Sequence, residues 1–402
     1  MLLAFTSTGS AENWSVGSSG NFTSIQTAID NSSNGDTIYV ASGEYIENIV
    51  VNKQVAIVSE NGSSETSIIA ADAGEHVVYV TAGNVTINGF NISGADEKSG
   101  IYLDSDNNTL INNQVSLNEY GIHLYSSQYN VLENNSMSDN TYNFGVEGYY
   151  GVRNDIDTSN TVDDKPIYYL TAVNGVTIDE DSNAGTIYCI GCKNITIKNV
   201  TLSNNLNGIY FQRTSDSKID NIQAYDNKYG IAPWYYSNEN VITNNIAENN
   251  EYGIAIRHNS EGNILNNNAV SSKGIFGIQI YSDNTILVSN SASDNNGHGI
   301  ALASNNNTLI SNVALNNRWN GIYLLSSFHN KLEENNATGN GINGLFLKSS
   351  ETNTLTGNTF MENEDHGIYF NMSHSNKMKD NIVSGNVNFG LRLSNSSSNL
   401  IY

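Results

Sequence analysis

Apolar and polar positions alternate over short stretches along most of this chain. In "NGIYLLSSFHNKLEENN" (320–336), Ile322 and Leu324 alternate with Tyr323, the period of a strand with one buried face. A second short strand centres on Leu332, and "ATGN" leads to a turn. "HGIALASNNNTLISN" (298–312) and "YGIAIRHNSEGNILNNN" (252–268) repeat the phrase. Its glycine falls at Gly100 and Gly121, then at Gly208, Gly230, Gly253, Gly277, Gly299, Gly321, Gly344, Gly367 and Gly390. A second column is Asn: Asn221, Asn245, Asn268, Asn290, Asn312, Asn335, Asn358 and Asn381, with Asn113 and Asn135 earlier. Steps of 22–24 residues predict the coils of a right-handed parallel β-helix, an all-β fold. Stacking places each Asn over its equivalent about 4.8 Å away, so the column reads as an amide ladder that satisfies buried turn backbone. A leucine-rich-repeat horseshoe would need an L-x-x-L-x-L frame that the phrase lacks.

The same pattern sets the domain plan. Residues 12–402 read as one β-helix domain, with irregular coils over 146–207 and regular repeats over 208–402. Ile25, Ala28 and Ile29 follow Thr23 or Ser24 at helical spacing, which predicts a capping helix over 23–31 and then a strand at Thr37–Val40. "SSNLIY" ends mid-repeat without such a cap, so self-association through the last coil is an expected partner contact. Residues 1–11 have the apolar run and small residues of a secretory signal peptide's tail.

Composition narrows the function classes. Net charge is −23, with 17 Lys and Arg against 40 Asp and Glu, so little is available to neutralise phosphates and no nucleic-acid partner is expected. No apolar run is long enough to span a membrane. Fourteen N-x-S/T sequons, including Asn21, Asn84, Asn194 and Asn336, are compatible with an exported, extracellular or cell-surface protein.

The candidate chemistry lies where the phrase is broken. The fifth residue after the Gly is Ser at Ser105, Ser126, Ser282, Ser304, Ser326 and Ser349, but Arg213, Tyr235 and His258 in three consecutive coils. The preceding column holds Gln212, Trp234, Arg257 and Tyr281, and Tyr210 has outward parity two residues past its Gly. Stacking then gathers Tyr210, Arg213, Trp234, Tyr235, Arg257, His258 and Tyr281 on one solvent-facing flank. Aromatic faces suit the C–H faces of sugar rings, and Arg forks suit carboxylates, so this flank is the candidate polysaccharide site. Read structurally, the same residues are corner side chains stabilised by stacking. An outward Trp234 should be replaceable by Ala without loss of the fold. Were the flank catalytic, His258 or Arg257 would be the base and Tyr235 the proton donor. Arg318 and Trp319 form a lesser candidate.

"FTSIQTAIDNSSNGDTIYVASGEYIENIVV" resembles the opening of pectin-lyase-like β-helix proteins. "NDIDTSNTVDDKPIYYL" (154–170) and "CKNITIKNVTLSNNLNGIYF" (192–211) resemble the NosD-type, or carbohydrate-binding and sugar-hydrolysis (CASH), family. That resemblance implies a secreted or surface β-helix protein, and its name implies copper-site assembly. The residues argue against copper: seven dispersed His, with His366, His374, Met372 and Met378 the nearest approach to a cluster. Cys189 and Cys192 form one CxxC, half of a typical zinc site, and read as a local disulfide or packed thiols. Asp155, Asp157, Asp163, Asp164, Asp179, Glu180 and Asp181 leave Ca²⁺ open as a cofactor, without an EF-hand frame. No metal ligand is assigned. The expected function is recognition of a polysaccharide or surface glycan. The alternatives are a polysaccharide lyase or glycoside hydrolase using the same flank, a structural surface-layer protein, and a copper maturation factor.

Overall fold

The computed structural model describes residues 11–148 and 153–402. Residues 1–10 of the signal-peptide reading over 1–11 lie outside the described residues. The alternating phrase does build right-handed parallel β-helix coils. Ile300, Ile322, Leu345, Ile368 and Leu391 pair in register from coil to coil. The first four of these are at most 1% exposed and belong to the core, while the intervening Tyr323, Phe346 and Tyr369 are half-buried on the outer face.

The chain forms two compact units, one ending at Tyr169 and one running Leu170–Tyr402. In the first, a seven-stranded sheet and a five-stranded sheet stack the equivalent strands of successive coils. Its helix is Ile25–Asn31, with the Ser24 side chain accepting the Thr27 N–H and Ile25, Ala28 and Ile29 buried. The strand Asn13–Val16 lies outside Thr37–Val40 in the seven-stranded sheet, so that sheet begins one strand before the helix. The break at 154–170 contains an antiparallel pairing, Thr161 with Pro166 and Val162 with Lys165. Asp163 and Asp164, both at positive φ (47° and 62°), form its two-residue turn, which gives these two carboxylates a backbone role. In the second unit an eleven-stranded parallel sheet runs from Thr177–Ile178 to Leu400–Ile401.

The Asn column is the ladder expected. Asn335 donates its backbone N–H to Asn358 Oδ1 (2.9 Å) and its Nδ2–H to the Leu309 carbonyl (3.0 Å), while its Oδ1 accepts the Asn312 N–H (2.9 Å). Only a neutral amide offers an acceptor and two donors on one short planar group. One member was misplaced. Asn221 is exposed in a left-handed corner (φ 54°), and Ile222 stands at the ladder position, donating its N–H to Asn245 Oδ1.

The recurrent glycine has a steric cause. A Cβ on Gly299, in the strand His298–Leu302, would lie 2.6 Å from Asn317 Nδ2 and 2.7 Å from the Gly321 carbonyl oxygen, so the coils can stack at this point only without a side chain.

Candidate functional site

The column containing Arg213, Tyr235 and His258 is first of all a backbone feature. These residues have φ of 51°, 47° and 57°, matching Ser326 (46°) and Ser349 (51°), so the column is a left-handed corner that side chains larger than Asn rarely occupy. Ser282 and Ser304, counted into it by a fixed offset, belong elsewhere: Ser282 Oγ accepts the Ser260 N–H, and the Ser304 N–H goes to Ser327 Oγ. They are rungs of a buried hydroxyl ladder, because the corner differs in length between coils. Cys192 is a rung of the same ladder. Its N–H bonds Thr214 Oγ1, and its thiol points at the Ile190 and Leu170 carbonyls, as Ser327 Oγ bonds those of Leu325 and Leu302. Cys189 and Cys192 are both free and buried, packed thiols rather than a disulfide.

Six of the seven flank residues form one connected cluster. Trp234 meets Tyr210 (5.6 Å), Tyr235 (6.3 Å) and His258 (5.8 Å) edge to face, and Tyr235 stacks on His258 at 4.2 Å. At the centre, the Arg257 guanidinium carbon lies over the rings of Tyr252 (4.7 Å), Tyr229 (5.1 Å), Trp234 (5.2 Å) and Tyr281 (5.9 Å). Its Nε–H donates to Gln279 Oε1, and an Nη1–H reaches the Tyr229 hydroxyl at 3.4 Å. Among the described residues no carboxylate pairs with Arg257. Arg213 is exposed and joins only through its backbone, its N–H bonding the Tyr235 carbonyl at 3.0 Å.

The outward reading fails for two members. Tyr210 is fully buried and Trp234 is 5% exposed, with its indole N–H donated to the Ala255 carbonyl (3.1 Å). Alternation told which side of the strand they leave, not how densely that side is covered. Trp234→Ala therefore opens a packed cluster and is no clean probe of binding. Tyr281, 39% exposed, and His258 are the flank rings that are exposed.

The structure also adds residues that fixed-offset reading passed over. The residue just before the repeat glycine is Tyr229, Tyr252, Phe276 and His298 in four successive coils, a column visible in the sequence. Their rings stack in turn at 4.8, 6.0 and 5.6 Å, and the file continues from His298 to Tyr323 (4.6 Å), Phe346 (5.4 Å) and Tyr369 (4.9 Å). Each ring inside this file covers its neighbours' faces, so its faces are not free for a ligand. Tyr281 and Trp319 differ: both sit edge-on to the file, against Phe276 (6.5 Å) and His298 (5.1 Å), and Trp319 is 37% exposed. The lesser candidate thus joins the main one through Phe276 and His298.

Burial and the neighbouring Arg257 guanidinium hold His258 below its ordinary pKa of 6.5, so it is neutral at pH 7. Asp226, two residues before the Lys228 that precedes Tyr229 and Gly230, pairs with Lys273 at 2.6 Å, and Glu180, one of the Ca²⁺ candidates, accepts from Asn199 at 3.0 Å, so neither carboxylate is paired with the flank. Among the described residues no three His, Cys, Asp or Glu converge as metal ligands. The donors do not fit copper. Met378 is in the core, Met372 is on the surface, the His366 ring lies 3.1 Å from an Arg392 Nη1, and His374 hydrogen-bonds Ser397.

Several known proteins are similar to this chain. A cell surface glycoprotein of Methanothermus fervidus is 39% identical over 120 residues, 28% of this chain and 19% of that protein, so the chain spans about a fifth of its length. The periplasmic alginate epimerase AlgG is 16% identical, over 91% of this chain and 77% of its own, with a TM-score of 0.42. The A-module of the Azotobacter vinelandii mannuronan C-5 epimerase AlgE4 is 17% identical, over 93% and 94%, with a TM-score of 0.39. The family model described as periplasmic copper-binding protein (NosD) matches residues 29–183, 152–318 and 277–402, nearly the whole chain, and the protein belongs to that family.

Proposed function

We propose that this protein is an exported, cell-surface polysaccharide-binding β-helix, and that its ligand lies across Arg257, Tyr281 and Trp319. One observation carries the reading: a guanidinium with no carboxylate partner, held among four rings, one of which, Tyr281, is exposed, with the exposed Trp319 further along the same ring file, against His298. On a chain of net charge −23, a cation without a paired anion is a local inversion of the field. It recognises a carboxylate-bearing sugar, and the flanking rings take the apolar faces of neighbouring sugars. The name of the Methanothermus relative is consistent with a surface location.

The test is retention of neutral and uronate-rich polysaccharides on immobilised protein. Tyr281→Ala and Trp319→Ala should each weaken retention about tenfold, the size of an aromatic contact of ~0.5–1.5 kcal/mol, with the protein still folded. Arg257→Gln should weaken the uronate polymer more than the neutral one. Equal retention by wild type and all three variants would overturn the assignment. Shortening of the polymer, lost in His258→Ala while retention persists, would make the protein an enzyme instead, with the neutral His258 as its base.

A further inference from the structure

The fourteen sequons are not spread as the asparagines are. Each sequon Asn is exposed or half-exposed, and none is among the buried ladder asparagines. Alternation explains part of this: two residues beyond a ladder Asn comes an inward apolar residue, such as Leu309 after Asn307, where a sequon needs Ser or Thr. The Asn just before the ladder has an outward residue at that place. Seven sequon asparagines have positive φ (Asn84, Asn107, Asn134, Asn194, Asn199, Asn306 and Asn395), and the first six stand on exposed corners just before a ladder position, which is Asn at Asn108, Asn135 and Asn307 and apolar at Val85, Ile195 and Val200.

Alternation does not explain a gap. Residues 200–305 contain twenty-one Asn and no sequon, whereas the other forty-seven Asn carry all fourteen, a rate that would put about six in this stretch. The exposed corners are present there too, at Asn221, Asn244, Asn267 and Asn284 (φ 54–59°). What changes is the outward residue two places on: Gln223, Ile246, Ala269 and Ile286 replace the Thr or Ser found at Thr86, Thr109, Ser136, Thr196, Thr201 and Thr308. Ile246 and Ile286 are 41% and 39% exposed, so core packing does not demand them. These coils carry two of the three residues of the proposed ligand site, Arg257 and Tyr281; Trp319 lies beyond them.

We infer that the protein is N-glycosylated on its exposed sequon corners, and that coils 200–305 form a window kept free of N-glycans. In the modification, the Asn Nδ2 displaces a lipid-linked phosphate from the anomeric carbon of an oligosaccharide donor. The C1–N bond forms, the C1–O bond to phosphate breaks, the lipid phosphate leaves with the bonding pair, and one amide proton passes to the transferase. No ladder amide is consumed, so modification before folding leaves the ladders able to form. The sequon map stands apart from the polysaccharide reading; only the purpose of the window rests on it.

Glycopeptide mass spectrometry of the protein isolated from its own producer should find glycan mass on sequon peptides such as those of Asn194, Asn199 and Asn306, and none on peptides within 200–305. Unmodified sequons throughout, or N-glycan inside the window, would overturn the inference. Ile286→Thr then creates a sequon at Asn284, three residues from Tyr281. Ile286 pairs in register with Thr308 of the next coil, where Thr is native, so the fold tolerates the change. In the producer, Ile286→Thr should gain a glycan at Asn284 and lose at least tenfold in polysaccharide retention. The same variant from a host without the transferase should retain polymer as wild type does. A glycan at Asn284 with retention unchanged would refute the window's purpose. Wild-type protein that retains no polymer would refute the polysaccharide reading and leave the sequon map to be judged by mass spectrometry alone.

Discussion

Asn335→Ala should lower the unfolding free energy of the unit Leu170–Tyr402 by about 3–5 kcal/mol, since a buried polar group left without its partner costs ~1–3 kcal/mol. Four groups lose a partner together: the Asn312 N–H and Asn312 Nδ2 lose the Oδ1 acceptor, and the Leu309 carbonyl and Asn358 Oδ1 lose the Nδ2 donor, although Asn312 Nδ2 keeps the Leu287 carbonyl and Asn358 Oδ1 keeps the residue-335 backbone N–H. All are buried between coils where water cannot substitute. Asn335→Asp separates acceptor loss from donor loss. The carboxylate still accepts from Asn312, but turns its other oxygen toward the Leu309 carbonyl and Asn358 Oδ1. Its pKa must therefore rise in the folded state, and the variant should recover stability as pH falls and the group becomes neutral. Denaturant midpoints measure both. A midpoint for Asn335→Ala within 0.5 kcal/mol of wild type would show that the ladder is not a source of stability. Because coils contact only their neighbours, the same variant should also broaden the transition.

Acid should weaken the second unit through His298, in a window set by burial. The ring is 8% exposed, stacked between Phe276 and Tyr323, and its Nδ1 accepts the Asn320 N–H at 3.4 Å. Burial pushes its pKa down from 6.5 to about 4. The folded protein thus holds the neutral ring, and the unfolded chain takes up the proton first as pH falls. Stability associated with His298 is complete above pH 6.5 and declines as pH falls toward 4. Below that it is lost, a change on the order of 3 kcal/mol. His298→Asn places at this site the residue that Asn320 and Asn343 supply in the next coils, so it should flatten the decline by about that amount. Urea midpoints across pH 4–7 decide this. Identical pH dependence in wild type and variant would sink the assignment. His76 in the first unit is also held near 4 by burial, so that unit should soften over the same range.

The two predictions differ in how far they could be read from the chain. Period-two alternation and the 22–24-residue recurrence were enough for the coil, its strands, the repeat glycine and the Asn ladder, because each is a nearest-neighbour property: a residue meets its own equivalent one coil away. The short N-terminal helix was legible for the same reason, through local spacing and a Ser cap. Errors came where a fixed offset was carried across corners of unequal length. Asn221, Ser282 and Ser304 each fell one column from the place assigned.

The site was legible as a list of residues and not as a surface. Sequence alone brought Trp234, Tyr235, Arg257, His258 and Tyr281 into adjacent columns. Only the tertiary structure decided that Trp234 and Tyr210 are buried, that Arg213 stands apart, and that Tyr229 and Tyr252 close the ring cluster around Arg257. It also joined Trp319 to that cluster through His298. The physical reason is that alternation fixes the side of a strand from which a side chain leaves. Its exposure, and whether a ring's faces remain open, depend on how side chains from several coils fill the space above that sheet.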